Sequence, residues 1–155
     1  MFKINATSTN IDSVTMFTDG ACLGNPGPGG YGVILRDDTH SKELSGGAPS
    51  TTNNRMELSA VIAGLSALKR KCVVDIYTDS KYVVDAFNRL WIDSWVKNNW
   101  KTSTGQAVKN QDLWQQLLEL RKLHILNFHW VKGHSGHIEN ERCDRIAREV
   151  AQRYI

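Results

Sequence analysis

Cysteine is scarce in this chain. Cys22, Cys72 and Cys143 are its only three, odd in number and widely spaced. No CxxC pair occurs, which argues against a zinc site and against a disulfide framework. No apolar run approaches the length needed to cross a bilayer. The opening stretch is mostly polar and has no apolar core of the kind a secretory leader carries. Asn5-Ala6-Thr7 matches the glycosylation pattern, which an intracellular protein would not use. A cytoplasmic protein with reduced thiols and no membrane association is the expectation. There is no repeat, linker or low-complexity tract. Neither sign of charge dominates: 19 basic against 16 acidic residues leave a net charge of +3. Such a mild excess is compatible with a nucleic-acid partner without requiring one.

What remains is an ordinary globular composition, 41% hydrophobic and 23% charged over 155 residues, enough for one well-buried core. The expected organisation is a flexible extension over 1–13 and a single domain over 14–155. Val14 to Thr18 reads as a strand that runs into Asp19 and a glycine- and proline-rich turn. Tyr31 to Arg36 reads as its hairpin partner, and Glu43 to Gly46 as a short third strand before a loop over 47–52. A helix capped in Thr52-Asn53-Asn54 runs to about Arg70, with Lys69, Arg70 and Lys71 at the negative end of its dipole. Val73 to Thr78 is a strand ended by Asp79. Helical segments follow over 81–89, 90–98 and 110–123, then a strand over 124–131 and a last helix over about 138–153. The order βββ-α-β-ααα-β-α predicts an α/β (α+β) fold. It would hold a mixed five-stranded sheet, three strands antiparallel and two parallel, with helices on both faces.

Four acids and one histidine stand out. Thr18-Asp19-Gly20 and Thr78-Asp79-Ser80 repeat one pattern at the ends of two strong strands. If those strands are neighbours, their carboxylates converge. Glu57, early in its helix, could join them, and Asp144 lies in the last helix just beyond the loop that carries His134. Several carboxylates at one point repel unless a divalent cation neutralises them, and all-oxygen ligation favours Mg²⁺ or Mn²⁺ over zinc. Such a site suits phosphodiester hydrolysis, one ion activating the attacking water and another stabilising the leaving 3′ oxygen. His134, in a glycine-flanked loop, is a candidate for proton transfer or product release. Taken singly, each group also has a plainer reading. Glu57 could serve the helix dipole, Asp79 could be a helix N-cap, Asp144 a solvated helix residue and His134 a loop histidine. Asp19 is the hardest to read so, because strands disfavour Asp. The turn over 24–32 is not a phosphate loop of the Walker type, since no Gly-Lys-Ser/Thr follows it.

Five ordered segments resemble those of type 1 ribonuclease H of the bacterial kind. They are FTDGACLGNPGPGGYG (Phe17 to Gly32), TTNNRMEL (Thr51 to Leu58), YTDSKYV (Tyr77 to Val83), WIDSWVKNNWKT (Trp91 to Thr102) and VKGHSGHIENERCD (Val131 to Asp144). The resemblance covers nearly all of the chain after the extension. It implies the ribonuclease H-like fold, with Asp19, Glu57, Asp79 and Asp144 as metal-binding catalytic carboxylates and His134 as the mobile catalytic histidine. His137 would open the last helix in a structural role. The implied reaction is endonucleolytic hydrolysis of the RNA strand of an RNA/DNA hybrid to 5′-phosphate and 3′-hydroxyl ends. The implied cofactor is Mg²⁺, with Mn²⁺ able to substitute. A monomer is expected. A non-catalytic hybrid-binding module is the alternative from another class, but it would tolerate loss of the acids, and all four are present. Another nuclease of the same fold is the other enzyme reading.

A hybrid differs from DNA by its 2′-hydroxyls, which line the minor groove. The same resemblance implies Cys22, Asn25, Asn53 and Asn54 as substrate contacts, with Thr52 and Asn25 holding a phosphate of the DNA strand. Asn25 before Pro26, and Asn53-Asn54 at a helix entry, also have a role in turn chemistry. Lys81 could meet an RNA phosphate or lower the pKa of nearby carboxylates. Trp91, Trp95 and Trp100, with Lys97 and Lys101, match a protruding handle that grips the DNA strand. For Trp95 and Trp100 a core role is the competing reading, and Trp114 and Trp130 are read as core. Asp93, Asn98, Asn99 and Gln106 dilute the handle's charge. A salt titration of hybrid binding should therefore give a shallower log–log slope than a lysine-packed handle would. A slope matching many phosphate contacts would refute this.

Overall fold

The computed structural model describes residues 11–133 and 137–155. Five strands form one sheet, with the third at one edge and then the second, first, fourth and last across it. β1 (Asp12–Cys22), β2 (Gly27–Arg36) and β3 (Ser41–Thr51) are an antiparallel meander. β4 (Cys72–Thr78) and β5 (Ile125–Trp130) add to the other edge of β1 in parallel. The helices are α1 (Asn53–Ser66), α2 (Lys81–Asn88), α3 (Trp91–Lys97), α4 (Gln111–Arg121) and α5 (Ile138–Gln152). The expected mixed sheet, three strands antiparallel and two parallel, is the one that forms.

Alternation along β1 divides the core. Val14 and Met16 point to one face, where they meet α1 through Leu58, Val61 and Leu65, and the cluster continues into Trp114 and Leu117 of α4. Phe17 points to the other, where it packs with Ile34 of β2 and Cys143 of α5. A strand with both faces covered reads as a continuous apolar run, and Val14 to Phe17 is close to that. α1 and α5 thus lie on opposite faces, and both reach the same end of the sheet.

Several boundaries differ from the sequence reading. Asp12 and Ser13 belong to β1, paired with Cys72 and Val73, so the extension expected over 1–13 stops short of them. Backbone pairing needs no apolar side chain, so two polar residues gave no strand signal. For the same reason β3 runs on to Thr51, with Gly46 and Gly47 opposite Tyr31 and Gly30, where a loop was expected. α1 ends at Ser66, so Lys69, Arg70 and Lys71 fall beyond it and do not serve its dipole. Trp114 is fully buried as expected, whereas Trp130 is 45% exposed. It lies on the edge strand β5, where one side has no neighbour.

α5 lies against β2 at contact distance because β2 is glycine-rich there. A Cβ on Gly30 would stand 2.3 Å from the Ala147 carbonyl oxygen and 2.8 Å from the Ala151 nitrogen. Both are backbone atoms that cannot turn aside. Gly30→Ala should destabilise the fold by about 1–3 kcal/mol, the usual range for an overfilled core. The readout is a lower urea midpoint at unchanged slope; an unchanged midpoint would show that α5 shifts without cost.

Candidate active site

Asp19 follows the buried Thr18 at the end of β1's apolar run, and Asp79 directly follows β4. The last paired residues of the two parallel strands are Phe17 and Tyr77, so both acids lie two positions beyond one register pair. Adjacent strands in register therefore bring the carboxylates together, as their repeated Thr-Asp pattern predicts. Asn140 of α5 strengthens this junction. Its side-chain amide donates to the Tyr77 carbonyl at 3.0 Å and to that of Thr18 at 3.5 Å.

Glu57 arrives from the other face. Thr52 caps α1 by accepting from the Arg55 N–H at 3.3 Å, which sets the helix start and places Glu57 at its second turn. Gly20 makes room for that turn: a Cβ there would stand 2.6 Å from the Glu57 nitrogen. One oxygen each of Asp19, Glu57 and Asp79 then fall within 4.8 Å of one another. Asp144, from α5, lines the same cleft but pairs with Arg148 at 2.9 Å one turn further along the helix. The structure thus brings three of the four predicted acids into one cluster and sets the fourth at its side. His134 lies outside the described residues.

Burial and mutual repulsion dominate the electrostatics of the cluster. Burial, then the Asp79 charge, pushes the Asp19 carboxyl up to about 8 from an ordinary 3.8, although the Gly20 N–H donates to it at 2.9 Å. Burial, then the Asp19 and Asp79 charges, pushes Glu57 well above its usual range. Glu57 Oε2 is buried without a hydrogen-bond partner among the described residues. A buried carboxylate oxygen without a partner, on a residue clustered with two other acids, fits a hard divalent cation, which takes oxygen ligands. Burial, with Asp19 adding to it, also raises the Cys143 thiol; it donates to the Phe17 carbonyl at 3.3 Å and stays inert.

Other predicted residues surround the cluster. Cys22, Asn53, Asn54 and Lys81 line its cleft with Arg148. Cys22 donates through its thiol to the Gly27 and Thr51 carbonyls, both at 3.3 Å. Asn25 Oδ1 accepts from the Asn53 N–H at 3.1 Å, tying the turn after β1 to the start of α1. The turn-chemistry reading of Asn25 is therefore realised, with its neighbours left open to the cleft. The Lys81 ammonium lies 4.6 Å from the centre of the Trp130 ring. Trp130 in turn donates to the Asp79 carbonyl at 3.1 Å.

The handle residues stand apart from the acids. Trp91 is exposed on α3, and Lys97 and Lys101 are exposed. Trp95 packs edge-on against Trp114 at 5.3 Å and tilts toward Trp100 at 6.4 Å, so both inner tryptophans have the core contacts of their competing reading. Leu90, Asn99, Trp100 and Asn110 take positive φ, and no other non-glycine residue among those described does. Such backbone costs energy and persists only where its surroundings hold it.

Sequence reading missed Asn140 and Arg148. Nothing in the sequence marks a helical Asn as a bridge between two strands. Arg148 did carry a signal, since an Asp and an Arg four positions apart face each other on a helix.

The RNase H family model matches residues 11–152. A ribonuclease H of Oleidesulfovibrio alaskensis is 58% identical over 90% of this chain and 91% of its own length. A ribonuclease H of Thermus thermophilus is 58% identical over 90% of this chain and 84% of its own. Among solved structures, LC9-RNase H1, described as a type 1 RNase H with the type 2 active-site motif, superposes with a TM-score of 0.82. It is 31% identical, over 96% of this chain and 76% of that one.

The raised carboxyls give a pH prediction for the cation-free protein. Between their unfolded values and about 8 for Asp19, the folded state binds more protons than the unfolded state. Stability is then highest below the unfolded pKa and falls as pH rises through the folded one. Thermal midpoints in chelator should drop from pH 5 to pH 8. Saturating Mg²⁺ should raise the midpoint most at pH 8, because the ion takes the place of the proton. Asp19→Asn should flatten the profile; a flat profile in the parent protein would contradict the account.

Proposed function

The chain belongs to the ribonuclease H family, and on that premise we propose that it cuts the RNA strand of RNA/DNA hybrids at the carboxylate cleft, leaving 5′-phosphate and 3′-hydroxyl ends. The observation that carries this reading is the Asp19–Glu57–Asp79 cluster, in which one oxygen of each residue lies within 4.8 Å of the others and Glu57 Oε2 is buried with no hydrogen-bond partner among the described residues. Asp19, Glu57 and Asp79, with Asp144 beside them, would hold the divalent cation or cations, Mg²⁺ by preference and Mn²⁺ in its place. Bound there, such ions supply an acidified water as nucleophile and charge stabilisation for the leaving oxygen.

The chain's own groups do the rest. The strand ends fix Asp19 and Asp79, so little reorganisation remains for the reaction step. Cys22, Asn53 and Asn54 present short polar groups and the open N-terminal turn of α1 to the minor groove, where 2′-hydroxyls mark the RNA strand. Asn25 and Thr52 sit at the same turn, in reach of a phosphate of the other strand. Lys81 stands over Trp130 as a fixed cation for the cut strand. His134 is assigned proton transfer or product release. Trp91, Trp95, Trp100, Lys97 and Lys101 are assigned to holding the DNA strand beyond the cleft. We assign the protein as a cytoplasmic monomer. No helix among the described residues is long and apolar enough to cross a membrane.

The test is cleavage of a labelled hybrid with Mg²⁺, alongside duplex DNA, duplex RNA and the Asp79→Asn protein. Only the hybrid should be cut. The variant should lose at least about 100-fold, the upper loss seen when even an outer partner of a metal ligand is removed. Binding without cleavage by the parent protein would support the binding-module reading instead.

A further inference from the structure

Asp144 has a counter-charge on its own helix. Its Oδ2 lies 2.9 Å from an Arg148 guanidinium nitrogen. The facing oxygens of the other three lie within 4.8 Å of one another, and Asp144 is not among them. Its charge is nevertheless close enough to help raise the Asp19 carboxyl, and Asp144 and Arg148 line one cleft with Asp19, Glu57 and Asp79. We propose that Arg148 is a positioning residue that competes with the divalent cation for the Asp144 carboxylate, so that this ion pair sets how readily the fourth acid joins the site. The inference rests on the reading of the cluster as a cation site.

The physical case has three parts. A carboxylate shared with a guanidinium donates less electron density to a metal, and the guanidinium's own charge opposes a second cation nearby. The pair is also weak enough to give way, since Arg148 is 60% exposed and Asp144 22% and an exposed pair of this spacing holds only loosely. Finally, the two residues share one turn of α5, so Asp144 can leave Arg148 by a rotamer change with no movement of the helix. In the cation-free protein the guanidinium offsets part of the repulsion that this fourth carboxylate adds to Asp19. When the ion arrives, Asp144 turns to it and Arg148 is freed at the rim of the cleft.

The experiment titrates the protein with Mn²⁺ alone, without nucleic acid, and counts free ion by its paramagnetic resonance signal. Arg148→Gln should tighten binding by about two- to fivefold, the range that a loosely held surface pair corresponds to. Arg148→Lys, which keeps the charge and the spacing, should stay near the parent value. Arg145→Gln removes a charge from the same helix without touching this pair, and should change affinity less than Arg148→Gln does. Unchanged or weaker binding in Arg148→Gln overturns the inference, as does equal tightening in Arg145→Gln. If the parent binds no Mn²⁺, or Asp79→Asn binds it as the parent does, the reading of the cluster itself fails and the inference with it. Arg148 is exposed, so thermal midpoints of the variants will show intact folding and keep the comparison valid.

Discussion

Three carboxylates held together at the end of the sheet's two inner parallel strands and the helix beside them repel one another, and the rest of the molecule is arranged to keep them there. Asp19 and Glu57 are each less than 10% exposed. Neither can reach enough water to screen its neighbour, and burial adds to the penalty of each charge. Burial and this repulsion push both carboxyls above their ordinary range. The same penalty favours anything that brings positive charge to the cluster. A ligand that binds only the folded state stabilises it in proportion to its affinity, so a cation here would act on stability and on chemistry through the same contacts.

Holding the cluster takes rigid parts from every layer. Parallel pairing of β1 with β4 sets the spacing of Asp19 and Asp79, and Asn140 ties their carbonyl-bearing ends across from α5. Glu57 depends on α1 lying against the opposite face, which the missing side chain of Gly20 permits. Beneath the site, Phe17 stacks on Tyr77 at 5.6 Å and Tyr77 on His129 at 4.6 Å, giving the strands a stiff aromatic floor on the α5 side. Arg142 reaches Glu43 at 2.8 Å and Arg36 reaches Glu139. These exposed pairs are worth little each. The glycine-lined contact of α5 with β2 holds that helix more than they do.

Recognition is built differently from chemistry. The cleft's substrate-facing groups sit on a turn and a helix start that are hydrogen-bonded to one another through Asn25 and Asn53. The tryptophan segment lies apart, anchored by its inner rings and shaped by residues at positive φ. Lys97 and Lys101 are spaced by the neutral Asn98 and Asn99, and the segment's one acid, Asp93, is drawn to Arg121 of α4 at 3.1 Å. Positive charge there is sparse, so its hold on a polyanion would draw on shape and aromatic packing as well as on these few lysines.

Sequence by itself determined the element order, the sheet's mixed sense and the identity of the acids. Apolar periodicity survives in a linear string, and an Asp at the end of a strong strand is conspicuous wherever the strand ends up. The repeated Thr-Asp pattern also foretold that Asp19 and Asp79 would meet, given only that their strands are neighbours. Other features were not legible. Asp12, Ser13 and the later part of β3 join the sheet through backbone hydrogen bonds, which leave no trace in side-chain pattern. Trp130 looked like core because tryptophan usually is, but its strand forms the sheet's edge. Only the tertiary structure decided that Asp144 stays outside the cluster of the other three acids, and that Asn140 bridges two strands. Those outcomes depend on distances between elements far apart in the chain, and on which charges share a desolvated space.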